Sequence, residues 1–354
     1  MSTTIVRLCI LVCTLLLLVC SIYTYYTETW VAFNAQTMQA EYKKQGLVHE
    51  PDTGRLTKCR SRNQRTQCDT VTYKHPFNQT NHRQSALLSN DKASTSRLLT
   101  MNGIRCPRFA RFDKLPTLDE CTRILRAYGV RFPAVVKPID GTQGYGVHLN
   151  VRDCQEVVKI VHKLRAAGRT RIIVEEQVTG ENYRVFVYNG RMFDIVQREL
   201  ASVVGDGRHT LDQLIQARNR RQRAQKLFAT HNVNWTYIHE QVPTVPEARL
   251  PKFVVPRGKR LLITNIANFH NGCNVRRIPL DQVTPRTKAH FVKVNRVLGL
   301  QMSGIDYMSK DIRSVAPNAG WVIEVNSVPD LKIHQDALPR DERLTGRFVR
   351  GLFA

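Results

Sequence analysis

Two short apolar runs near the C-terminal end set the strongest limit on how this chain can fold. SGIDYM (residues 303–308) and, after a short loop, GWVIEVNSVP (residues 320–329) read as adjacent buried strands that carry polar oxygen donors. On an extended strand positions i and i+2 share a face, so Glu324 and Asn326 reach the same point, and Asp306 is delivered by the neighbouring run. Two carboxylates and an amide oxygen form a hard donor set, suited to Mg²⁺ held against nucleotide phosphates. Two core strands with polar ends would read the same way, so the remaining chain has to decide.

From about Ser85 onward the pattern mixes helices and strands. Residues 117–128 read as a helix and are followed by the apolar strand FPAVVKP. A second helix over 153–167 places Val157, Val161 and Leu164 on one face. RIIVEEQV is the next strand. Asn189-Gly190 between two apolar runs of YRVFVYNGRMFDIVQREL is a hairpin signal. Thr284 and Pro285 suit the N-cap and first turn of a helix running to Val297. Helices interleaved with antiparallel hairpins predict an α+β fold and not a doubly wound sheet. There is no internal repeat.

The ends have a different character. Residues 1–7 form a short tail, and LCILVCTLLLLVCSIYTYY (residues 8–26) contains no charge. At roughly 20 residues it is long enough to cross a bilayer, with Tyr23, Tyr25, Tyr26 and Trp30 at the interface. We expect an uncleaved transmembrane signal-anchor, because no small-x-small cleavage pattern follows closely. Residues 27–84 read as a stalk and an exposed, turn-rich basic lead-in, with a folded domain over 85–354. The net charge of +24 admits polyanionic ligands, anionic lipid or a diffuse solvated surface. Nucleic acid is not expected, since the basic lead-in lacks interleaved aromatics. The nine cysteines show no CxxC spacing for zinc, and pairing of Cys59 with Cys68 is left open. Asn78 and Asn234 are sequons that matter only in a lumenal domain.

VVKPIDGTQGYGV (residues 135–147) is a strand ending in Lys137, then a loop with Gly141, Gly144 and Gly146. Glycines let backbone amides approach phosphate oxygens, and the lysine supplies a cation at a rigid strand end. A tight turn has the same composition, and the segment is not a Walker A loop. This segment, together with IIVEEQVTGENYRVFV, RELASVVGDGRHT, ITNIANFHNGCNV and GWVIEVNSVPDLKIH, resembles the ATP-grasp ligases in content and order. The most similar members are the ATP-grasp domains of cyanophycin synthetases and bifunctional glutathione synthetases. The resemblance runs from about Asp91 to the C-terminus.

The resemblance implies an ATP-grasp fold, in which two α+β subdomains clasp ATP with Mg²⁺ or Mn²⁺. NDKASTSRLL resembles the opening Asp-Lys motif, making Lys92 a phosphate-contacting lysine. Lys137 is similar to the second nucleotide lysine, and residues 141–146 to the loop over the triphosphate. Glu175, Glu176 and Val178 resemble the adenine hinge. Asn182 stands where a ribose-binding carboxylate is usual. Arg184 and Arg198 resemble basic residues near the transferred phosphate or substrate, and Asn268 falls in the substrate-side segment. Asp306, Glu324 and Asn326 match the metal ligands.

Arg276 and Arg277 stand where that family carries an acid, which predicts a more anionic acceptor. The resemblance therefore implies an ATP- and Mg-dependent carboxylate–amine ligase acting on an amino acid or peptide through an acylphosphate, and the apolar segment at 8–26 adds the expectation that it is membrane-anchored. The catalytic domain is expected on the cytosolic, nucleotide-containing side. The alternatives are a degenerate nucleotide-binding module with a structural or regulatory role, and an ATP-grasp kinase.

Overall fold

A computed structural model of the protein describes residues 47–50, 55–62, 65–72, 81–139, 146–225, 227–313 and 319–337. The expected anchor at 8–26, the sequon at Asn78, and Gly141 and Gly144 lie outside the described residues. Among the described residues no helix is long and apolar enough to cross a membrane. The chain divides into two compact units, one of residues 1–80 with 340–354 and one of residues 81–339.

In the first unit β1 (Leu47–Glu50), β2 (Arg55–Arg62) and β3 (Arg65–Thr72) form an antiparallel sheet in that order. The basic lead-in is thus a hairpin rather than the turn-rich segment expected from sequence. Its strands, RLTKCRSR and RTQCDTVT, carry charges at no regular period and have no apolar run, so only the β-branched Thr57, Thr66, Thr70, Val71 and Thr72 hint at extended backbone. Cys59 and Cys68 are direct partners in the register.

The second unit opens at Asn81, which is buried. Its amide donates to the carbonyls of Met302 at 2.8 Å and Ser327 at 2.7 Å, and its oxygen accepts from the backbone N–H groups of Gln301 and Met302. Helices α1 (Arg83–Asn90) and α2 (Lys92–Met101) follow. Asp91 caps α2 by accepting from Ser94 N–H at 2.7 Å, which explains the Asp-Lys pair: the aspartate starts the helix whose first residue is Lys92.

A four-stranded sheet comes next, built from β4 (Phe109–Phe112), β5 (Ala134–Pro138), β6 (His148–Val151) and β7 (Ile172–Glu176). Its order is β4-β7-β5-β6 and every pairing is antiparallel. Between these strands run α3 (Leu118–Ala127), whose capping box joins Thr117 and Glu120, and α4 (Cys154–Ala166), capped by Asp153. Both helices lie within about two residues of the expected ends. Val157, Val161 and Leu164 of α4 pack with Ala134 and Val136 of β5 and Val174 of β7.

A five-stranded antiparallel sheet carries the rest. Its strands β8 (Glu181–Tyr188), β9 (Arg191–Glu199), β12 (Asn274–Arg277), β13 (Met302–Ser309) and β14 (Trp321–Asn326) are ordered β12-β9-β8-β13-β14. The β8–β9 hairpin turns at Asn189-Gly190, both at positive φ (43° and 70°), as a primed turn requires. Between β9 and β12 lies a small insert of β10 (Ser202–Val204), α5 (Leu211–Ala224), α6 (Trp235–Gln241) and β11 (Arg260–Leu262), with its own core around Leu211, Ile238, Val255 and Leu261. Helix α7 (Pro285–Leu298), capped by Thr284, packs with α2 on the sheet through Leu99, Phe291, Val294 and Leu298 against Val185, Ile305 and Tyr307. The short α8 (Lys332–Asp336) closes the described part of the unit.

Candidate active site in a cleft between two sheets

Alternation on the strands decides what faces the cleft. In β5, Ala134, Val136 and Pro138 are buried, leaving Val135 and Lys137 for the opposite face. In β8, Tyr183 and Val185 enter the core, so Asn182 and Arg184 face the other way. Asp306 is cross-strand partner to Arg184 on one side and to Glu324 on the other. These residues line a cleft of about 1170 Å³, together with Lys92, Glu175, Glu176, Val178, Arg198, Asn268 and Asn326. That is room for a nucleotide and a further substrate. Every sequence-expected site residue that is described lines it except Gly146. That glycine is at φ 72°, and a Cβ there would lie 3.0 Å from Pro138 and 3.2 Å from Leu164, so its role in this structure is a positive-φ close approach inside the small subdomain.

The charged groups are paired. Arg184 Nε stands 3.1 Å from Asp306 Oδ1, and Arg198 Nη2 stands 3.2 Å from Asp306 Oδ2. Neither Arg184 Nε nor Asp306 Oδ1 makes a hydrogen bond, so the contact is electrostatic and poorly aligned. Arg184 Nη1 donates instead to the Gly304 carbonyl at 3.1 Å, and a Cβ at Gly304 would lie 2.9 Å from that nitrogen. Lys92 Nζ is 3.7 Å from Glu324 Oε1, and Lys137 Nζ is 2.6 Å from Glu175 Oε1. Glu176 accepts from Arg108 through its backbone N–H and Nε, which ties the hinge to the loop before β4. Asn182 Oδ1 accepts from Arg198 Nε at 2.6 Å, and Glu181 accepts from Gln197.

The donor set fits a hard divalent cation. Asp306, Glu324 and Asn326 meet from adjacent strands, and Asp306 Oδ1 is a buried oxygen with unused bonding capacity. Among the described residues no group of three or more His, Cys, Asp and Glu could hold a metal ion, so the set here rests on two carboxylates and the Asn326 amide.

Two expectations change. Arg276 and Arg277 do not line the cleft. Arg277 Nε donates to Asp194 at 2.8 Å, and Asp194, fully buried, also meets His334 Nδ1 at 3.0 Å. Arg276 is engaged by Gln197 and stands 3.9 Å from Glu199. Both arginines neutralise carboxylates of β9, which removes the basis for an anionic acceptor there. Asn268, expected to be catalytic, spends its side-chain oxygen on the backbone N–H groups of His270 (2.8 Å) and Asn271 (3.3 Å). It shapes the turn that presents His270.

From sequence a lone histidine such as His270 reads as structural and not as a catalytic base, and Asp330 carries no signal of its own. Both line the cleft, and His270 Nε2 is 3.1 Å from Asp330 Oδ2. They lie 60 positions apart in irregular segments, so neither periodicity nor spacing could link them.

Comparison with known proteins agrees with this geometry. Residues 89–213 match the RimK-like ATP-grasp domain. A cyanophycin synthetase from Synechocystis sp. is 30% identical over 263 residues, covering 72% of this chain and 29% of that protein. The glutathione biosynthesis bifunctional protein of Clostridium perfringens is 23% identical over 276 residues, covering 76% and 34%. Among solved structures, a bifunctional glutathione synthetase from Pasteurella multocida superposes with a TM-score of 0.54 at 20% identity, covering 87% of this chain and 42% of that one. The chain contains an ATP-grasp domain of the RimK-like family and has the α+β ATP-grasp fold. It spans under a third of the length of the cyanophycin synthetases it matches.

Proposed function

We propose that this protein is an ATP- and Mg²⁺-dependent carboxylate–amine ligase that joins an amino acid or peptide to an amine through an acylphosphate. One observation carries the reading: Lys92, Lys137, Arg184 and Arg198 face the same cleft as Asp306, Glu324 and Asn326. Phosphoryl transfer depends on positioning and charge neutralisation more than on covalent chemistry, and this cleft offers cations for phosphate oxygens beside donors for a metal. A bound Mg²⁺ would neutralise phosphate charge, held by Asp306, Glu324 and Asn326. Lys92 and Lys137 would hold phosphates, Glu175, Glu176 and Val178 would border the adenine, and Arg184 and Arg198 would face the carboxylate being activated. The family relatives are ATP-grasp ligases, which supports the same reaction class.

The test is ADP release by the full chain with a library of amino acids and dipeptides, beside an Asp306→Ala/Glu324→Ala control. Acceptor-stimulated ADP with a new amide product is expected. A second reading, a nucleotide-binding module without turnover, is favoured by the Asn182–Arg198 bond, which occupies the side chain at the ribose position. It predicts tight ATP binding with no acceptor-stimulated release. We propose further that residues 8–26 anchor the protein with the domain on the nucleotide-containing side. Glycan attachment at Asn78 or Asn234 in cells would sink that topology.

A further inference from the structure

We propose that His270, positioned by Asp330 and by the Asn268 turn, is the general base that deprotonates the amine acceptor; this rests on the ligase reading above. His270 lines the cleft with 31% of its side chain exposed, while Asp330 is 12% exposed. Asp330 is held from both ends of its carboxylate. Oδ1 accepts from Lys332 N–H at 2.8 Å, and Oδ2 lies 3.1 Å from His270 Nε2. That second approach is not yet a well-aligned hydrogen bond, as is common before substrate tightens a site. The ring packs edge-on against Phe228, centroid at 4.8 Å, and lies 5.6 Å from Phe269, the two phenyl rings touching each other at 5.1 Å. With Nε2 turned to the carboxylate, Nδ1 is the nitrogen left to accept a proton.

The surroundings keep the imidazole neutral. Burial is the main cause that depresses its pKa below the ordinary value, reinforced by Arg184, His231 and Lys332 and opposed by Asp330. An unprotonated base is therefore present at neutral pH, beside the arginine that contacts Asp306.

The step balances. The acceptor arrives as an ammonium ion, whose nitrogen lone pair is bound to a proton. His270 Nδ1 takes that proton, and the freed amine attacks the acylphosphate carbonyl carbon. The C–N bond forms, the C–O bond to phosphate breaks, and the oxygen leaves with its electron pair. The second amine proton goes to the departing phosphate, and His270 returns its proton to water.

Hydroxylamine, already a neutral nucleophile near pH 7, needs no base and reports acylphosphate formation as hydroxamate. The full chain is assayed with the same amino-acid and dipeptide library, once with hydroxylamine and once with amine acceptors. His270→Gln should cut amide formation at pH 7 about 10²-fold or more, while hydroxamate formation falls less than about threefold. Added imidazole should restore amide formation to His270→Ala. The wild-type rate of amide formation should fall with acid through a midpoint below the ordinary imidazole pKa, and Asp330→Asn should move that midpoint lower still.

Equal loss of hydroxamate and amide in His270→Gln, with no imidazole rescue, overturns the base and leaves the ligase standing. Unchanged amide formation does the same. No hydroxamate from wild type with any carboxylate overturns the ligase reading, and the base with it. Should His270→Gln fail to fold, the pH midpoint of wild type and its shift in Asp330→Asn decide alone.

Discussion

On the four-stranded sheet, Lys137 and Glu175 form one short ion pair at 2.6 Å, with both side chains nearly buried. On the five-stranded sheet, Asp306 is shared between Arg184 and Arg198, and Arg198 is shared again with Asn182. The first arrangement is closed: one cation cancels one anion, and a phosphate must draw Lys137 away from Glu175. The second is open, because two guanidiniums share one carboxylate and leave positive charge to meet an anionic substrate. Both sheets use the same two-residue alternation, with apolar faces under helices and polar faces on the cleft. The lesson is that alternation selects which residues face the cleft, while cross-strand register decides whether their charges cancel.

That contrast can be broken or sharpened by measurement. The largest effect is expected on the open wall. Asp306→Ala with Glu324→Ala should lower acceptor-stimulated ADP release at least about 10³-fold, since it removes two of the proposed metal donors and the carboxylate that both arginines meet. Retained turnover would place the reaction elsewhere.

Behind the same wall, Arg277→Ala should cost about 3 kcal/mol in urea unfolding, because it takes a charged donor away from the fully buried Asp194, which also meets His334. The KM for ATP should move less than about threefold. Unchanged stability combined with lost use of anionic acceptors would return Arg277 to substrate recognition.

A smaller change is expected from the closed pair. Without nucleotide, Lys137→Ala should cost about 2 kcal/mol of folding stability, and adding Glu175→Gln should recover most of that loss, since without a phosphate the two ions pair with each other. Additive losses would show that the pair is not closed. Smallest, Thr117→Ala removes the capping-box hydroxyl of α3 and should cost about 1 kcal/mol without altering nucleotide binding.

Much of the fold was legible because its signals are local. The Asn-Gly turn, the caps at Thr117, Asp153 and Thr284, and the helical spacing of Val157, Val161 and Leu164 each lie within a few residues. The β2–β3 hairpin was missed because its strands show no apolar alternation. Within the site, Asp306 and Glu324 were found because they sit on apolar strands and Lys137 because it ends a strand before a glycine loop, while Arg184 came from the family resemblance. His270 and Asp330 sit in irregular segments, and their proximity depends on how separate loops meet.

The sequence by itself determined which residues could carry chemistry: the lysines, arginines and oxygen donors, and the strands and helices that present them. Hydrophobic periodicity and capping are near-neighbour effects, so they are written in the chain. Only the tertiary structure decided the partners. It gave Arg277 to Asp194 and not to a substrate, turned Asn268 to the backbone of His270, and brought His270 beside Asp330. The Asn268 turn is local, whereas the other two outcomes depend on strand register and loop packing that join residues 83 and 60 positions apart, and on the burial that makes each unpaired charge costly.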